Sequence, residues 1–269
     1  MSLPRPSATT TALITGASSG LGREFAIQLA ALGHHVTIVA RRGDLLDQLA
    51  EELNAGDAPG GVSVIVADLS ESTQRQALLD ALQRNGRAPS ILINNAGFST
   101  TGPAAKANGA AEVSMVRTNV EAVVALTVAV LPAMVAASEG AILNVASTAS
   151  FQPLPGQAGY GASKAFVLSY TEAVSAEVSQ FGIAVTALCP GPVETGFAEA
   201  AGFTEAEAGV MPKFMWVSPH DVVRAGIDGL VASKRVVIPG AANNVLAHVA
   251  RHSPRGPLLS ALKKYHPSL

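Results

Sequence analysis

The chain has 269 residues, 48% hydrophobic and only 14% charged, with 25 glycines and 16 prolines; that mixture excludes a disordered chain and suits one core-rich domain. A formal net charge of −2 offers no field to recruit nucleic acid or an anionic membrane surface. The single cysteine, Cys189, excludes an intrachain disulfide, and the polar start MSLPRPSATT carries no apolar signal core, so a reducing, cytoplasmic setting is expected.

Along the chain, short apolar runs alternate with helical patterns, which predicts a parallel sheet with helices on both faces. Strands are expected at TALIT (11–15), HVTIVA (35–40), VSVIVA (62–67), ILIN (91–94), AILNVA (141–146), AVTALC (184–189) and VVI (236–238). Between them, stretches such as GREFAIQLAALG and ALLDALQRNG carry apolar residues at three- and four-residue spacing and close near a glycine. The run AVVALTVAVLPAMVAA (122–137) is short of a membrane span and contains Thr127 and Pro132, so it is expected to be a buried helix. Two segments break the alternation, a loop over 191–216 and a tail over 241–269. Loops at strand C-termini face the ligand crevice in such sheets, so the first is expected to be a substrate lid.

The stretch TGASSGLG (15–22) joins the first strand to the first helix. Glycines at 16, 20 and 22 let the backbone turn tightly and approach a ligand, and the helix N-terminus offers free N–H groups to a phosphate. The spacing is not the G-x-G-x-x-G fingerprint. Further on come NNAG (94–97) after the fourth strand, Ser147 thirteen residues before Tyr160, the Y-x-x-x-K of YGASK (160–164), and PG (190–191) after the sixth strand.

With these five motifs in this order, the chain resembles the short-chain dehydrogenase/reductase family over roughly residues 10–240. The resemblance implies a single Rossmann-type domain over 1–269, a doubly wound parallel sheet of about seven strands in the order 3-2-1-4-5-6-7. It further implies hydride transfer between a nicotinamide cofactor and a carbonyl or alcohol. Carried onto this sequence, Gly16, Ser18, Gly20, Leu21 and Gly22 hold the pyrophosphate and adenosine ribose, and Asp68 binds the adenine. Asp68 reads equally well as a helix N-terminal carboxylate, because DLSES resembles a cap region. Asn95, Ala96 and Gly97 line the cofactor, and Asn94 and Asn95 also tie the fourth strand to its neighbours. Pro190, Gly191 and Val193 lie near the nicotinamide, with Thr195 at its carboxamide or the pyrophosphate.

The second strand ends VARRGD, with no carboxylate to accept from a ribose hydroxyl. A guanidinium there matches a 2′-phosphate in charge and in its forked donors, so NADP(H) is expected rather than NAD(H). Arg41, nearer the strand end, is the stronger candidate; Arg42 is either a second ligand or a solvated neighbour. Asp44 is expected to cap the following helix.

Tyr160 and Lys164, at i and i+4, share one face of a helix expected over about 156–181. Passing a proton to or from a carbonyl oxygen at neutral pH requires a phenol acidified by about three units, or about 4 kcal/mol. An ammonium at about 4 Å supplies a similar amount at an effective dielectric near 20. The resemblance makes Tyr160 the general acid/base, Lys164 its acidifying partner and ribose ligand, Ser147 the group at the substrate carbonyl, and Asn119 of RTNVEA both an interruption of the preceding helix and the holder of a relay water. The residues between Tyr160 and Lys164 are small so that the cofactor and a neighbouring helix can approach.

No G-x-S-x-G elbow surrounds Ser147, and no H-x-x-x-H pair is built around glutamate, so neither hydrolase chemistry nor a metal site is expected. Cys189 reads as a small buried filler. Phe197, Phe203, Met211, Phe214, Met215 and Trp216 crowd the lid; they either line a pocket for a ketone or secondary alcohol with a hydrophobic body or anchor the loop. PGPVETGF departs from the form usual in bacterial 3-oxoacyl-carrier-protein reductases, and Lys213 is the one basic residue of the lid. Three alternatives remain: a catalytically silent NADP-binding regulator, a 3-oxoacyl-thioester reductase, and nucleotide-sugar chemistry, for which the chain leaves too few C-terminal residues. The helices around 110–137 and 156–181 carry broad apolar or small-residue surfaces, and family members often pair through these, so a homodimer or homotetramer is expected.

Overall fold

The computed structural model describes residues 3–56, 59–201 and 212–265. Strands β1 (Thr10–Thr15), β2 (Val36–Ala40), β3 (Val62–Val66), β4 (Ala88–Asn94), β5 (Gly140–Val145), β6 (Ile183–Leu188) and β7 (Val236–Val237) form one sheet, ordered β3-β2-β1-β4-β5-β6-β7. Every neighbouring pair is parallel. All seven expected runs are strands, with ends moved by one to three residues. Their unbroken apolar character has a simple cause: β2, β5 and β6 are buried along their whole length, covered on both faces.

On one face, α1 (Gly20–Ala31), α2 (Gly43–Ala55) and α8 (Pro219–Val231) bring Phe25, Leu29, Leu46 and Val223 against Ile38 and Leu143. On the other, α3 (Ser72–Arg84), α5 (Ala122–Ala137) and α6 (Ala158–Val178) bring Leu78, Leu126, Met134 and Val174 against Leu92 and Ile142. α6 is shorter than expected, because its C-terminal turn tightens into a 3₁₀ turn at Ser179–Phe181.

α4 (Gly109–Val116) runs into α5 through one π-helical turn, Arg117–Glu121. The combined helix, Gly109–Ala137, is long and apolar enough to cross a membrane by length and composition. The helix expected over 122–137 is α5 itself, but it is buried on one side rather than throughout. The combined helix begins upstream of the apolar run, and only the side bearing Leu126, Val130 and Met134 is buried, while Val113, Val116 and Val128 face outward. A short helix, α7 (Phe197–Ala200), follows β6, and the tail forms α9 (Ala241–His252) and α10 (Arg255–Tyr265). Asn243, Ala247 and Ala250 form the inward side of α9.

Because β1 has β2 on one side and β4 on the other, the chain leaves the two halves of the sheet in opposite directions. A crevice opens at the carboxyl ends of these strands. The loops after β1, β4, β5 and β6 all meet there.

Candidate active site

The turn after β1 is shaped for an anion. Gly16 and Gly20 adopt φ of +67° and +54°, a region that side chains disfavour. Gly22 is constrained by contact instead: a Cβ there would lie 2.2 Å from the Gly16 carbonyl oxygen and 2.5 Å from Asn95 Nδ2. Ser19, the N-cap of α1, makes no side-chain capping bond, so the first N–H groups of the helix, from Gly20 and Leu21 onward, keep their capacity for a ligand. Thr195 faces this turn from the β6 loop, its Cγ2 3.3 Å from where a Cβ on Gly20 would sit. These features fit a dinucleotide pyrophosphate.

The two arginines after β2 meet different partners. Arg42 donates to Ser18 Oγ from Nη2 at 2.9 Å and Nε at 3.3 Å, and to Ser19 Oγ from Nη2 at 2.9 Å. Arg41, 67% exposed, points to Asp68, with Nη1 3.8 Å from Oδ2. The chain turns from β2 into α2 at Arg42, which is itself the N-cap residue. Asp44 therefore does not cap α2; it lies in the first turn, where its carboxylate meets the positive end of the helix. Asp68 is not a helix cap either, since Glu71 holds that position on α3. Asp68 Oδ1 accepts from Ser70 N at 2.9 Å and Ser70 Oγ at 2.8 Å, fixing the turn before the helix.

Asn95 stitches β4 to β1: its Nδ2 donates to Thr15 O at 2.9 Å and Gly16 O at 3.2 Å. The N–H groups of Asn95 and Ala96 both donate to Thr15 Oγ1. Asn94 lies beside Asn144 in the parallel register and donates to its Oδ1 at 2.8 Å, while Asn144 donates to Thr171 Oγ1 at 2.9 Å. This buried ladder ties β4 and β5 to α6 under the site. Asn144 and Thr171 carried no sequence signal, because each sits in an ordinary strand or helix.

Ser147, at the end of β5, accepts from Ala149 N at 3.1 Å and lies near the Tyr160 phenol. Tyr160 is 9% exposed. Burial pushes its phenol above the usual value, and the nearby Ser147 hydroxyl opposes that push. Lys164 Nζ lies 5.8 Å from the centre of the Tyr160 ring and donates to Val145 O at 2.7 Å, with burial lowering the ammonium to about 8. Burial raises the phenol because it takes the phenolate charge out of water.

Asn119 is buried at the middle of the π-helical turn. Its Nδ2 donates to Phe98 O at 2.9 Å and Ser163 Oγ at 3.1 Å, and its Oδ1 accepts from Phe98 N at 3.1 Å. A Cβ on Gly97 would lie 2.9 Å from Asn119 Oδ1 and 3.4 Å from Lys164 Nζ, so all three groups converge. The small residues of YGASK have identifiable neighbours. Ser163 bonds Asn119 and donates to Tyr160 O at 2.7 Å, and a Cβ on Gly161 would press on Leu154 at 3.0 Å.

After β6, Pro190 O accepts from Thr148 N at 2.9 Å, and Gly191 abuts Asn243 of α9 with no room for a Cβ. Asn243, which sequence reasoning passed over, also donates to Met215 O at 2.9 Å. Val193 pairs with Val217 in an isolated bridge. The Phe197 ring lies over Tyr160, centroids 5.9 Å apart and planes at 47°. Phe214 is exposed and Met215 and Trp216 are half-buried, while Phe203 and Met211 lie outside the described residues. Cys189 is buried and its thiol pushed up to about 12, an inert filler. His248 and His252 are exposed and face backbone carbonyls four residues back, and no group of three metal-ligating side chains occurs among the described residues.

Residues 10–206 match the family model described as short chain dehydrogenase. The chain is similar to sulfoacetaldehyde reductase 2 of Chromohalobacter salexigens, 37% identical over 69% of this chain and 73% of the relative. It is equally similar to a granaticin polyketide synthase putative ketoacyl reductase of Streptomyces violaceoruber, 37% identical over 73% of this chain and 72% of the relative. Among solved structures, a short-chain dehydrogenase from Sphingobium yanoikuyae in complex with NADPH superposes with a TM-score of 0.80, at 33% identity, over 93% of this chain and 95% of the other.

Proposed function

The chain belongs to the short-chain dehydrogenase family, an oxidoreductase that uses a nicotinamide cofactor, and on that premise we propose that it is an NADP(H)-dependent reductase of ketones with a hydrophobic body. The observation that carries the reading is the placement of Ser147 beside the buried Tyr160 phenol in the crevice, with Lys164 anchored on the Val145 carbonyl below the Tyr160 ring. When bound, the cofactor supplies the hydride.

Ser147 donates to the substrate carbonyl oxygen and stabilises the charge that develops there. Tyr160 gives that oxygen its proton. A phenol that burial keeps protonated suits this direction, because reduction consumes the proton it holds. Lys164 holds the nicotinamide ribose and, with Asn119 and a water between them, replenishes the proton. Gly16, Ser18, Gly20, Leu21 and Gly22 cradle the pyrophosphate with Thr195. Asp68 holds the adenine, and Asn95, Ala96, Gly97, Pro190, Gly191 and Val193 line the nicotinamide half.

NADP(H) is supported by the guanidinium of Arg42, which donates to serine hydroxyls at the glycine turn, and by the lack of a carboxylate at the end of β2. A 2′-phosphate there would accept from Arg42, Ser18 and Ser19 together. The hydrophobic body of the substrate is supported by Phe197, which closes over Tyr160. A second reading, reduction of a 3-oxoacyl thioester, is favoured by the ketoacyl reductase relative.

The test is a panel of aryl and alkyl ketones, aldehydes and a 3-oxoacyl thioester with NADPH and NADH, followed by absorbance. Bulky ketones with NADPH are expected to lead, and Tyr160→Phe is expected to lose at least about 100-fold in kcat. A Tyr160→Phe enzyme near wild-type rate would overturn the mechanism, and preference for NADH would overturn the cofactor.

A further inference from the structure

α3 buries an arginine. Arg75 is 5% exposed, on a helix whose other inward positions are Leu78 and Leu82. An apolar residue would fill this place against α5 without desolvating a guanidinium, whose partner carboxylate on Glu121 is itself exposed. The value of the arginine therefore lies in what its donors join. Nη1 donates to the Leu69 carbonyl at 2.7 Å, and Nη2 pairs with the Glu121 carboxylate.

Both partners belong to functional elements. Leu69 follows Asp68 in the loop after β3, and Gln74, the neighbour of Arg75, accepts from Asp68 N at 2.7 Å. The first turn of α3 thus grips the Asp68–Leu69 segment at two points. Glu121 closes the π-helical turn that holds Asn119. If that turn relaxed to an α-helix, losing its extra residue would rotate Asn119 about the axis by about 100°, away from Phe98 and Ser163. A forked guanidinium fixes two acceptors at one separation, which a single ammonium cannot do.

We propose that Arg75 is a positioning residue, its two donors locking the cofactor's adenine loop at Asp68–Leu69 to the π-helical turn bearing Asn119. One buried cation then sets both dinucleotide affinity and the placement of the asparagine beside Lys164. The roles of Asp68 and Asn119 rest on the reductase reading above.

The experiment uses the full chain and measures NADPH affinity by fluorescence titration, steady-state kcat, and thermal midpoint. Arg75→Met is expected to weaken NADPH about tenfold and to lower kcat about tenfold. Asn119→Ala is expected to lower kcat, and adding Arg75→Met to it should lower kcat no further, because both act through the same side chain. Glu121→Gln, which keeps an acceptor for Nη2, should stay within about threefold of wild type in kcat. A purely structural arginine would lower the thermal midpoint yet leave affinity and kcat unchanged, or would add its full loss to that of Asn119→Ala; either result overturns the proposal. Should Arg75→Met fail to fold, Glu121→Leu carries the same non-additivity test. A wild-type chain that binds NADPH but reduces no carbonyl would sink the functional reading, while the NADPH affinity of Arg75→Met would still judge the adenine half.

Discussion

Arg42 and Arg41 are adjacent in sequence but meet different environments. Arg42 spends its donors on two hydroxyls of the glycine turn, and Arg41 stands largely in solvent beside Asp68. A charge-assisted bond to phosphate contributes about 1.5–3 kcal/mol, at least about tenfold in affinity. Arg42→Leu is accordingly expected to lower kcat/KM for NADPH by at least about tenfold and to leave NADH within about twofold, while Arg41→Leu should cost NADPH less. Initial rates with both cofactors decide it; a larger NADPH loss for Arg41→Leu than for Arg42→Leu would return the assignment to Arg41. At this scale the sequence was legible in kind. It singled out Ser147, Tyr160, Lys164 and a guanidinium after β2, but not which arginine meets the glycine turn or that burial raises the phenol.

Among the elements, the end of the sheet opposite the crevice carries an unusual load. His35, at the start of β2, is buried with Nδ1 2.9 Å from Thr11 Oγ1 and Nε2 3.1 Å from Ser63 Oγ. Burial, with a smaller push from the Arg87 guanidinium, holds it down to about 4, and burial lowers His34 as well. The unfolded chain binds a proton on His35 near pH 6.5 and the folded chain does not until about 4. Stability from this site is therefore complete above pH 6.5 and is lost as pH falls through 4, by about 3 kcal/mol at most. Denaturant midpoints measured from pH 7 to 4 should fall for wild type and fall less for His35→Gln. A matching slope in both would assign the acid sensitivity to other groups. Strands and helices were legible because two-sided burial writes itself as continuous apolar runs. The helix break at Asn119 was expected from the resemblance, but its π-helical form was not legible, because that turn is held by Phe98, Ser163 and Arg75 from elsewhere in the chain.

The whole molecule leaves apolar residues uncovered on the long α4–α5 helix and on α6. Val113, Val116 and Val128 are exposed on the first, and Phe166 on the second, stacked on Tyr170 at 5.8 Å. We propose that a second copy covers them. Phe166→Asp with Val128→Asp should shift the mass seen by light scattering to that of a smaller species, and a wild-type monomer would end that expectation. The sequence by itself determined the element order, the sheet and the reaction type. Glycine turns, Y-x-x-x-K and two-sided strands are local patterns that depend on few neighbours. Only the tertiary structure decided that Arg42 reaches Ser18, that Gly191 rests on Asn243, that Phe197 covers Tyr160, and that Arg75 joins Leu69 to Glu121. Each of these is a distance between side chains that packing alone brings together, and no periodicity along the chain encodes it.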